Sequence, residues 1–147
     1  MLGWKSRLDG KDIIPEVELI FEQLHNYATT NQLIVCYENK LCKIDRLDYY
    51  PSEDGSIVFK NLLNWRQNSY TVAELLEFLD KYGELIKDIK FEASDGSIQP
   101  LVRFEESCDI SGVVWYTYII VGDGNRPFTR IGNPQSPSFN PNVNTIL

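Results

Sequence analysis

Histidine is nearly absent from this chain of 147 residues, in which His25 is the only one. A single imidazole excludes histidine-rich metal sites and leaves at most one candidate for general-base catalysis. His25 falls at the margin of an apolar helical stripe, a position typical of a boundary residue. The chain also lacks a glycine-rich phosphate loop, a Gly-x-Ser-x-Gly elbow and a His-Glu-x-x-His motif. The sequence therefore predicts no catalytic residue, no metal site and no cofactor.

Cysteine is scarce as well, and the three that occur, Cys36, Cys42 and Cys108, make an odd number. A secreted disulfide framework requires a denser and even set. Each of the three lies in or beside apolar strand sequence, where a thiol behaves as a small hydrophobic group. We therefore expect buried, reduced thiols and no nucleophilic cysteine paired with His25.

Basic residues are outnumbered, since 14 Lys and Arg face 21 Asp and Glu and the formal net charge is −7. Without a basic stripe, nucleic acid and anionic membranes are poor partners. No apolar run approaches the ~20 residues of a membrane helix, and the charged first residues lack the apolar stretch of a signal peptide. We therefore expect a cytoplasmic protein. Its acidity either only keeps it soluble or attracts a basic surface on a protein partner.

Two segments carry the apolar spacing i, i+3, i+4, i+7 of an amphipathic helix. The first runs from Pro15 to about Ala28. The second follows Thr71, which with Glu74 forms the Thr-x-x-Glu pattern of a capping box. Gly83 is a natural stop for this second helix.

Six further segments are rich in β-prone or alternating apolar residues and are bounded by turn signals. We predict strands at 33–37, 41–49, 56–60, 88–94, 97–105 and 113–121. Pro100 in the fifth segment indicates an edge strand or a bulge. The predicted fold class is α+β with antiparallel sheet and two helices.

Three regions divide the chain by composition. The predicted α+β domain covers residues 15–122, after an N-terminal arm at 1–14. Residues 123–147 form a tail rich in proline and asparagine, without the periodicity of a helix or a central strand.

The two halves of the domain, 15–69 and 70–122, have the same predicted order of one helix and three strands. A shift of 57 residues places Gly55 on Gly112, and the helical stripes superpose at a shift of 58. These correspondences predict a tandem αβββ repeat. Because identities are few, chance similarity between two α+β halves stays open as the alternative.

The last predicted strand, 113–121, is apolar or aromatic on both faces, and a helix can cover only one of them. The tail, the other half of the domain or a partner protein must cover the second face. Tyrosine is enriched in interface hot spots, so Tyr116 and Tyr118 on this face are predicted to be open to a partner. Asp48 and Glu105, at the acidic ends of the hairpins, are the other predicted partner-binding residues.

The function predicted from these features is a non-enzymatic protein-binding module. Such a protein docks onto another protein as an inhibitor, an immunity protein or an accessory subunit, and homo-oligomers are compatible with it. Two alternatives stay open. One is a small enzyme that uses clustered carboxylates or a single cysteine, and the other is a regulatory domain with a small-ligand pocket between its halves.

Overall fold

The computed structural model describes residues 15–38, 40–62 and 68–122. The predicted arm at 1–14 and the predicted tail at 123–147 lie outside the described residues. The elements, in chain order, are α1 (Pro15–Leu24), β1 (Gln32–Tyr37), β2 (Lys40–Ile44), β3 (Ser56–Phe59), β4 (Asn61–Leu62), α2 (Val72–Tyr82), a 3-10 turn (Gly83–Leu85), β5 (Asp88–Glu92), β6 (Ile98–Cys108) and β7 (Trp115–Val121).

Helix α1 forms where the apolar stripe predicts it, and it ends four residues earlier than expected, at Leu24. The chain turns at this point, with the amides of His25 and Asn26 each donating to the carbonyl three residues back. Tyr27 then lies clear of the helix, and its hydroxyl donates to the Phe104 carbonyl at 2.9 Å. The turn therefore ties the end of α1 to strand β6.

The capping box at the start of α2 is confirmed. The Glu74 amide donates to the Thr71 hydroxyl at 3.4 Å, and the Thr71 amide donates to the Glu74 carboxylate at 3.1 Å. Gly83 follows the last helical residue, but its φ of −55° is right-handed, so the chain continues into the 3-10 turn instead of stopping in a left-handed cap. The helix is thus anchored at its first turn by two side-chain hydrogen bonds.

The seven strands form one sheet in the order β3-β5-β6-β7-β1-β2-β4. Four of its pairs are antiparallel, whereas β1–β7 and β3–β5 are parallel. The α+β class is therefore confirmed, and the expectation of a purely antiparallel sheet is wrong. The reason is that β3 does not return beside β2 as a hairpin; the chain crosses through α2 to reach β5, and such a crossover produces a parallel pair.

Segment 56–62 joins the two ends of the sheet. Its first half is β3, which pairs with β5, and its second half is β4, which pairs with β2, with Lys60 between them. This arrangement brings β2 and β4 into contact with the end of β5. The Asn61 side chain donates to the Ala93 carbonyl at 2.6 Å, and the Cys42 thiol donates to the Glu92 carbonyl at 3.7 Å. The sheet is therefore curled until its ends meet.

Both helices pack against the same face of the sheet, which we call the inner face. Their stripes form one hydrophobic core with inward side chains of the strands, among them Leu33, Ile57, Phe91, Phe104 and Ile119. The opposite, outer face carries a second buried cluster, made of Ile34, Cys36, Leu41, Tyr116, Tyr118 and Ile120.

Pro100 lies in β6, which is an internal strand between β5 and β7. The register of β6 against β7 shifts between Leu101 and Arg103, so the bulge that the proline indicated lies shortly after the proline. The edge-strand alternative is wrong, because β6 has a neighbour on each side.

The two halves of the domain share their connectivity. In each, a helix precedes an antiparallel hairpin and a third strand, and the third strand of each half pairs in parallel with the first strand of the other. The residue correspondence at a shift of 57 is less regular. It aligns Leu33, whose side chain lies on the inner face, with Lys90, which is not part of the inner core. The tandem duplication therefore stays a prediction.

Tyr116 and Tyr118 are not open to a partner, and that expectation is wrong. Each is 1% exposed. Their side chains pack into the second cluster with Ile34, Cys36 and Leu41 of β1 and β2. Burial also raises the pKa of the Tyr116 phenol.

Thr71→Ala is expected to lower the free energy of unfolding by about 1 kcal/mol, because it removes the side-chain cap of α2. Thr30→Ala, at an exposed position outside any helix or strand, is the matched control and should leave stability unchanged. Chemical denaturation of both variants measures the difference. Equal midpoints for Thr71→Ala and the unmodified protein would contradict the capping assignment.

Tyr116→Ala is expected to behave as a core truncation and to destabilise the protein by about 3–5 kcal/mol, as large-to-small changes of buried aromatic side chains do. Val113→Ala, at a side chain 76% exposed near the same strand, should change stability by less than about 0.5 kcal/mol. Thermal and denaturant melts compare the two. A nearly unchanged melt of Tyr116→Ala would show that the outer cluster does not seal this side chain.

Candidate functional site

A cleft of about 330 Å³ opens between strand β3 and the segment 45–52 that leads into it. Its lining includes Arg46, Asp48 and Tyr50 from the segment, and Ser56 and Val58 from the strand. The volume is at the lower end of the range for ligand-binding clefts.

The cleft exists because its two walls differ in length. The Asp45 amide donates to the Lys60 carbonyl, and the Ser52 amide donates to the Ser56 carbonyl, both at 2.8 Å. Between these hydrogen bonds, seven residue steps separate Asp45 from Ser52, whereas only four separate Ser56 from Lys60. An antiparallel pair in register would have equal numbers. The surplus in segment 45–52 therefore bows it away from β3 and leaves a gap.

The side chains of this segment alternate in direction. Leu47 and Tyr49 turn towards the core, where the Tyr49 ring stacks on Tyr82 with centroids 4.8 Å apart. Arg46 and Tyr50 turn the other way and line the cleft, and Tyr50 is 78% exposed. The segment is thus held from one side by apolar packing while its other side stays open.

The turn at the end of the cleft is fixed by short-range hydrogen bonds. The Ser56 amide donates to the Asp54 carboxylate at 3.0 Å, and the Ser52 hydroxyl donates to the same carboxylate. These bonds, first among them that from Ser52, lower the pKa of Asp54 to about 2. Gly55 has a φ of +84°, and a side chain there would meet the Lys87 stem at 2.6 Å, so the turn requires glycine.

The edge of β3 that faces the cleft has one residue without a ladder partner. The carbonyls of Ser56 and Lys60 accept hydrogen bonds from the cleft side. Because alternate residues of a strand direct their backbone groups to opposite edges, Val58 also faces the cleft, while Ile57 and Phe59 face β5. In the described part of the chain, no backbone hydrogen bond joins Val58 to segment 45–52.

The charges around the cleft are mostly negative. Residues 45–60 contain four acidic residues, Asp45, Asp48, Glu53 and Asp54, against the two basic residues Arg46 and Lys60. Arg46 lies 3.9 Å from Asp48, and Lys60 lies 4.0 Å from Glu92 of the neighbouring strand. Each cation is therefore already near an anion, and the excess charge of this surface is negative.

The structure separates the residues that the sequence predicted as a contact surface. Asp48 lines the cleft with its side chain 46% exposed. Glu105 lies in β6 directly beside Tyr118, where its carboxylate accepts a hydrogen bond from Arg103 at 2.6 Å. Asp48 and Glu105 thus belong to different surfaces. Sequence analysis missed Tyr50, whose only signal is an aromatic residue in a segment of turn residues.

The cysteines and the histidine lie outside this cleft. The prediction of buried thiols without a disulfide is confirmed for all three cysteines. Burial raises the pKa of the Cys42 thiol to about 12, which disfavours the nucleophilic thiolate. His25 packs against the Phe21 ring, and its Nδ1 lies 2.7 Å from the Phe21 carbonyl oxygen. The boundary position predicted for this residue agrees with these contacts.

Lys43 is the one cation buried within the described sheet, with no exposed surface. It lies in β2 one residue after Cys42, and burial lowers the pKa of its ammonium group to about 8. Within residues 15–38, 40–62 and 68–122, no group of three or more His, Cys, Asp and Glu side chains is arranged to hold a metal ion. No helix in these same ranges is long and apolar enough to cross a membrane.

Comparison of the chain with family models, with curated proteins and with solved structures finds no match in any of the three.

The amide of Val58 is expected to exchange with solvent at least roughly a hundredfold faster than the amides of Ile57 and Phe59. The reason is that the amides of Ile57 and Phe59 face β5 in the ladder, whereas the amide of Val58 does not. The free energy of the opening that permits exchange ranges from near zero at unpaired amides to the full stability of the protein at amides in a ladder. Hydrogen exchange followed residue by residue by NMR measures the three rates. Equally slow exchange at all three positions would place Val58 in a closed ladder.

Proposed function

We propose that this chain is a non-enzymatic protein-binding module that docks through the cleft beside β3. The observation that carries the proposal is the exposure of Tyr50 next to Arg46. Tyrosine and arginine are the residue types enriched in interface hot spots, and both stand here on a segment that is held rigidly from behind. A rigid aromatic anchor loses little entropy on binding.

The partner is a protein with a basic contact surface. The excess of acidic residues around the cleft and the net charge of −7 both favour positive partners and accelerate encounter with them. Asp48 is the central residue of this surface, since it lines the cleft and lies between Leu47 and Tyr49, which anchor the segment.

The role within the cell that fits a domain of this kind is that of a cytoplasmic inhibitor, immunity protein or accessory subunit. By binding to the partner, the contact surface of this domain would block or adapt the partner protein. The small-enzyme alternative has weaker support, because Asp48 in the cleft is paired with Arg46 and the thiol of Cys42 is buried and protonated. The shared connectivity of the two halves supports a tandem αβββ repeat as the scaffold.

The test is a comparative capture of partners from the cytoplasm of the source cell. Tyr50→Ala and Asp48→Lys are each expected to weaken capture of the same protein by at least about thirtyfold, the loss associated with a hot spot of ~2 kcal/mol. Glu18→Lys, an equal charge reversal at an exposed position of α1, is the control and should leave capture intact.

Melting curves accompany the capture, since both cleft variants should fold as stably as the control. The proposal is overturned when the protein captured by the unmodified chain binds Tyr50→Ala and Asp48→Lys equally well. It is likewise overturned when the Glu18→Lys control loses the same partner to the same degree.

A further inference from the structure

We infer that the C-terminal segment 123–147 folds back over the outer face of strands β7, β1 and β2 and covers the outer cluster. The outer face is then a docking surface whose ligand is this chain's own proline-rich segment. The inference goes beyond the proposed function and does not depend on it, because the side chains of the outer cluster do not line the cleft.

The burial of the outer cluster is the first observation. Its six members are at most 1% exposed, and so is Lys43, which alternates with Cys42 on β2 and therefore also points outwards. Both helices pack on the inner face, so neither of them covers these side chains. Within the described part of the chain, the partly buried apolar side chain that packs against the cluster is that of Val114. A sheet face becomes this inaccessible only beneath a second layer.

The end of β7 brings the chain to this face. β7 supplies three of the six members of the outer cluster and ends at Val121. Gly122 follows with a φ of +73°, which turns the chain out of the strand, and its amide donates to the Pro100 carbonyl at 3.1 Å. Segment 123–147 therefore starts at the border of the outer cluster.

The N-terminal arm, by contrast, joins the domain on the other face. It leads into helix α1, which packs on the inner face. Burial and the nearby carboxyl group of Asp88, at the start of β5, raise the pKa of Glu16 in the first turn of this helix. In the sheet, β6 separates β5 from β7. The arm therefore has to pass around the sheet to reach the outer cluster, whereas segment 123–147 starts beside it.

The length and composition of segment 123–147 suit a covering layer. Its 25 residues reach up to about 80 Å when extended, whereas three neighbouring strands are only about 10 Å across. Its four prolines exclude a helix or a central strand, so its carbonyl groups are free to accept hydrogen bonds from a buried ammonium group such as that of Lys43. The apolar side chains available to pack on the cluster are those of Phe128, Ile131, Phe139 and Ile146.

The charge of the segment favours the same placement. After Asp123 it contains Arg126 and Arg130 and no acidic residue, whereas the chain as a whole has a net charge of −7. A basic segment is attracted to an acidic domain. Glu105, which pairs with Tyr118 across the β6–β7 ladder, places a carboxylate at the border of the outer cluster.

The two cysteines of the β1–β2 hairpin report on the cover. Cys36 belongs to the outer cluster and Cys42 to the inner core, so one thiol lies on each face of the same hairpin. Lifting of the segment exposes Cys36 alone, whereas unfolding of the hairpin exposes both thiols. The native full chain is treated with N-ethylmaleimide, and mass spectrometry measures the labelling rate of each cysteine after digestion at Lys40, which lies between them.

Phe128→Ser combined with Ile131→Ser removes two apolar anchors from the segment. Labelling of Cys36 is expected to become at least about tenfold faster than in the unmodified chain, the change that corresponds to a loss of ~1.4 kcal/mol in docking. Labelling of Cys42 should keep its rate, because the inner core is not touched by this variant.

Two control variants locate the cover. Asn133→Ser combined with Asn142→Ser changes polar side chains of the same segment and should leave Cys36 as protected as in the unmodified chain. Trp4→Ser combined with Leu8→Ser removes apolar side chains from the N-terminal arm and should also leave Cys36 protected.

A second measurement uses the unmodified chain and does not depend on how any variant folds. Nuclear Overhauser contacts are expected in its NMR spectrum between side chains of segment 123–147 and those of Tyr116, Tyr118 or Ile120. The cleft variant Tyr50→Ala should preserve these contacts, so loss of partner capture and loss of the cover are observed separately.

Three results would overturn the inference outright. In the first, Cys36 of the unmodified chain reacts as fast as a thiol on a short peptide, which means that the face is open. In the second, the arm variant releases Cys36 and the variant of segment 123–147 does not. In the third, protection of Cys36 is lost on dilution of a dimer, which assigns the cover to a second copy.

A simultaneous rise in the labelling of Cys36 and Cys42 means that the variant has loosened the whole hairpin. The contacts in the unmodified chain then decide. Their presence supports the inference, and their absence refutes it.

Discussion

The hydrogen bonding of one short segment, 56–62, determines the shape of the whole domain. Its first half completes the ladder of β5, and its second half completes that of β2, so a single stretch of backbone serves both ends of the sheet. A sheet closed in this way must curve strongly, and a curved sheet has an inner face that holds two helices against one core. The position of the helices is thus a consequence of which partner each half of this segment has.

The same segment accounts for the cleft. Segment 45–52 has seven residue steps where the facing stretch 56–60 has four, so it reaches Ser52 without a continuous ladder of its own. Apolar packing of Leu47 and Tyr49 replaces that ladder and anchors the segment to the core. Segment 56–62 therefore both closes the sheet and forms one wall of the candidate site.

Local patterns in the sequence predicted most of the helices and strands, because each depends on neighbouring residues. The capping box at Thr71 and the stripe of α1 are examples, and both appear in the structure. Pairing depends on residues far apart, and no local signal predicts that β3 pairs in parallel with β5 across the crossover through α2. For the same reason, the burial of Tyr116 was not predicted, since it depends on side chains of β1 and β2 that are far away in the sequence. The cleft and Tyr50 were not predicted, because the cleft arises from the different numbers of residues in segment 45–52 and in the stretch 56–60 that faces it.

That difference in path length makes segment 45–52 a place where the length of the chain can vary. Lengthening a surface connection is thermodynamically cheap, at about 0.6 kcal/mol for each doubling, and the segment between Asp45 and Ser52 is already longer than the strand it faces. Insertions or deletions there would widen or narrow the cleft without altering a buried ladder. A change in the length of this one connection would therefore reshape the cleft while the core that folds the chain stays the same.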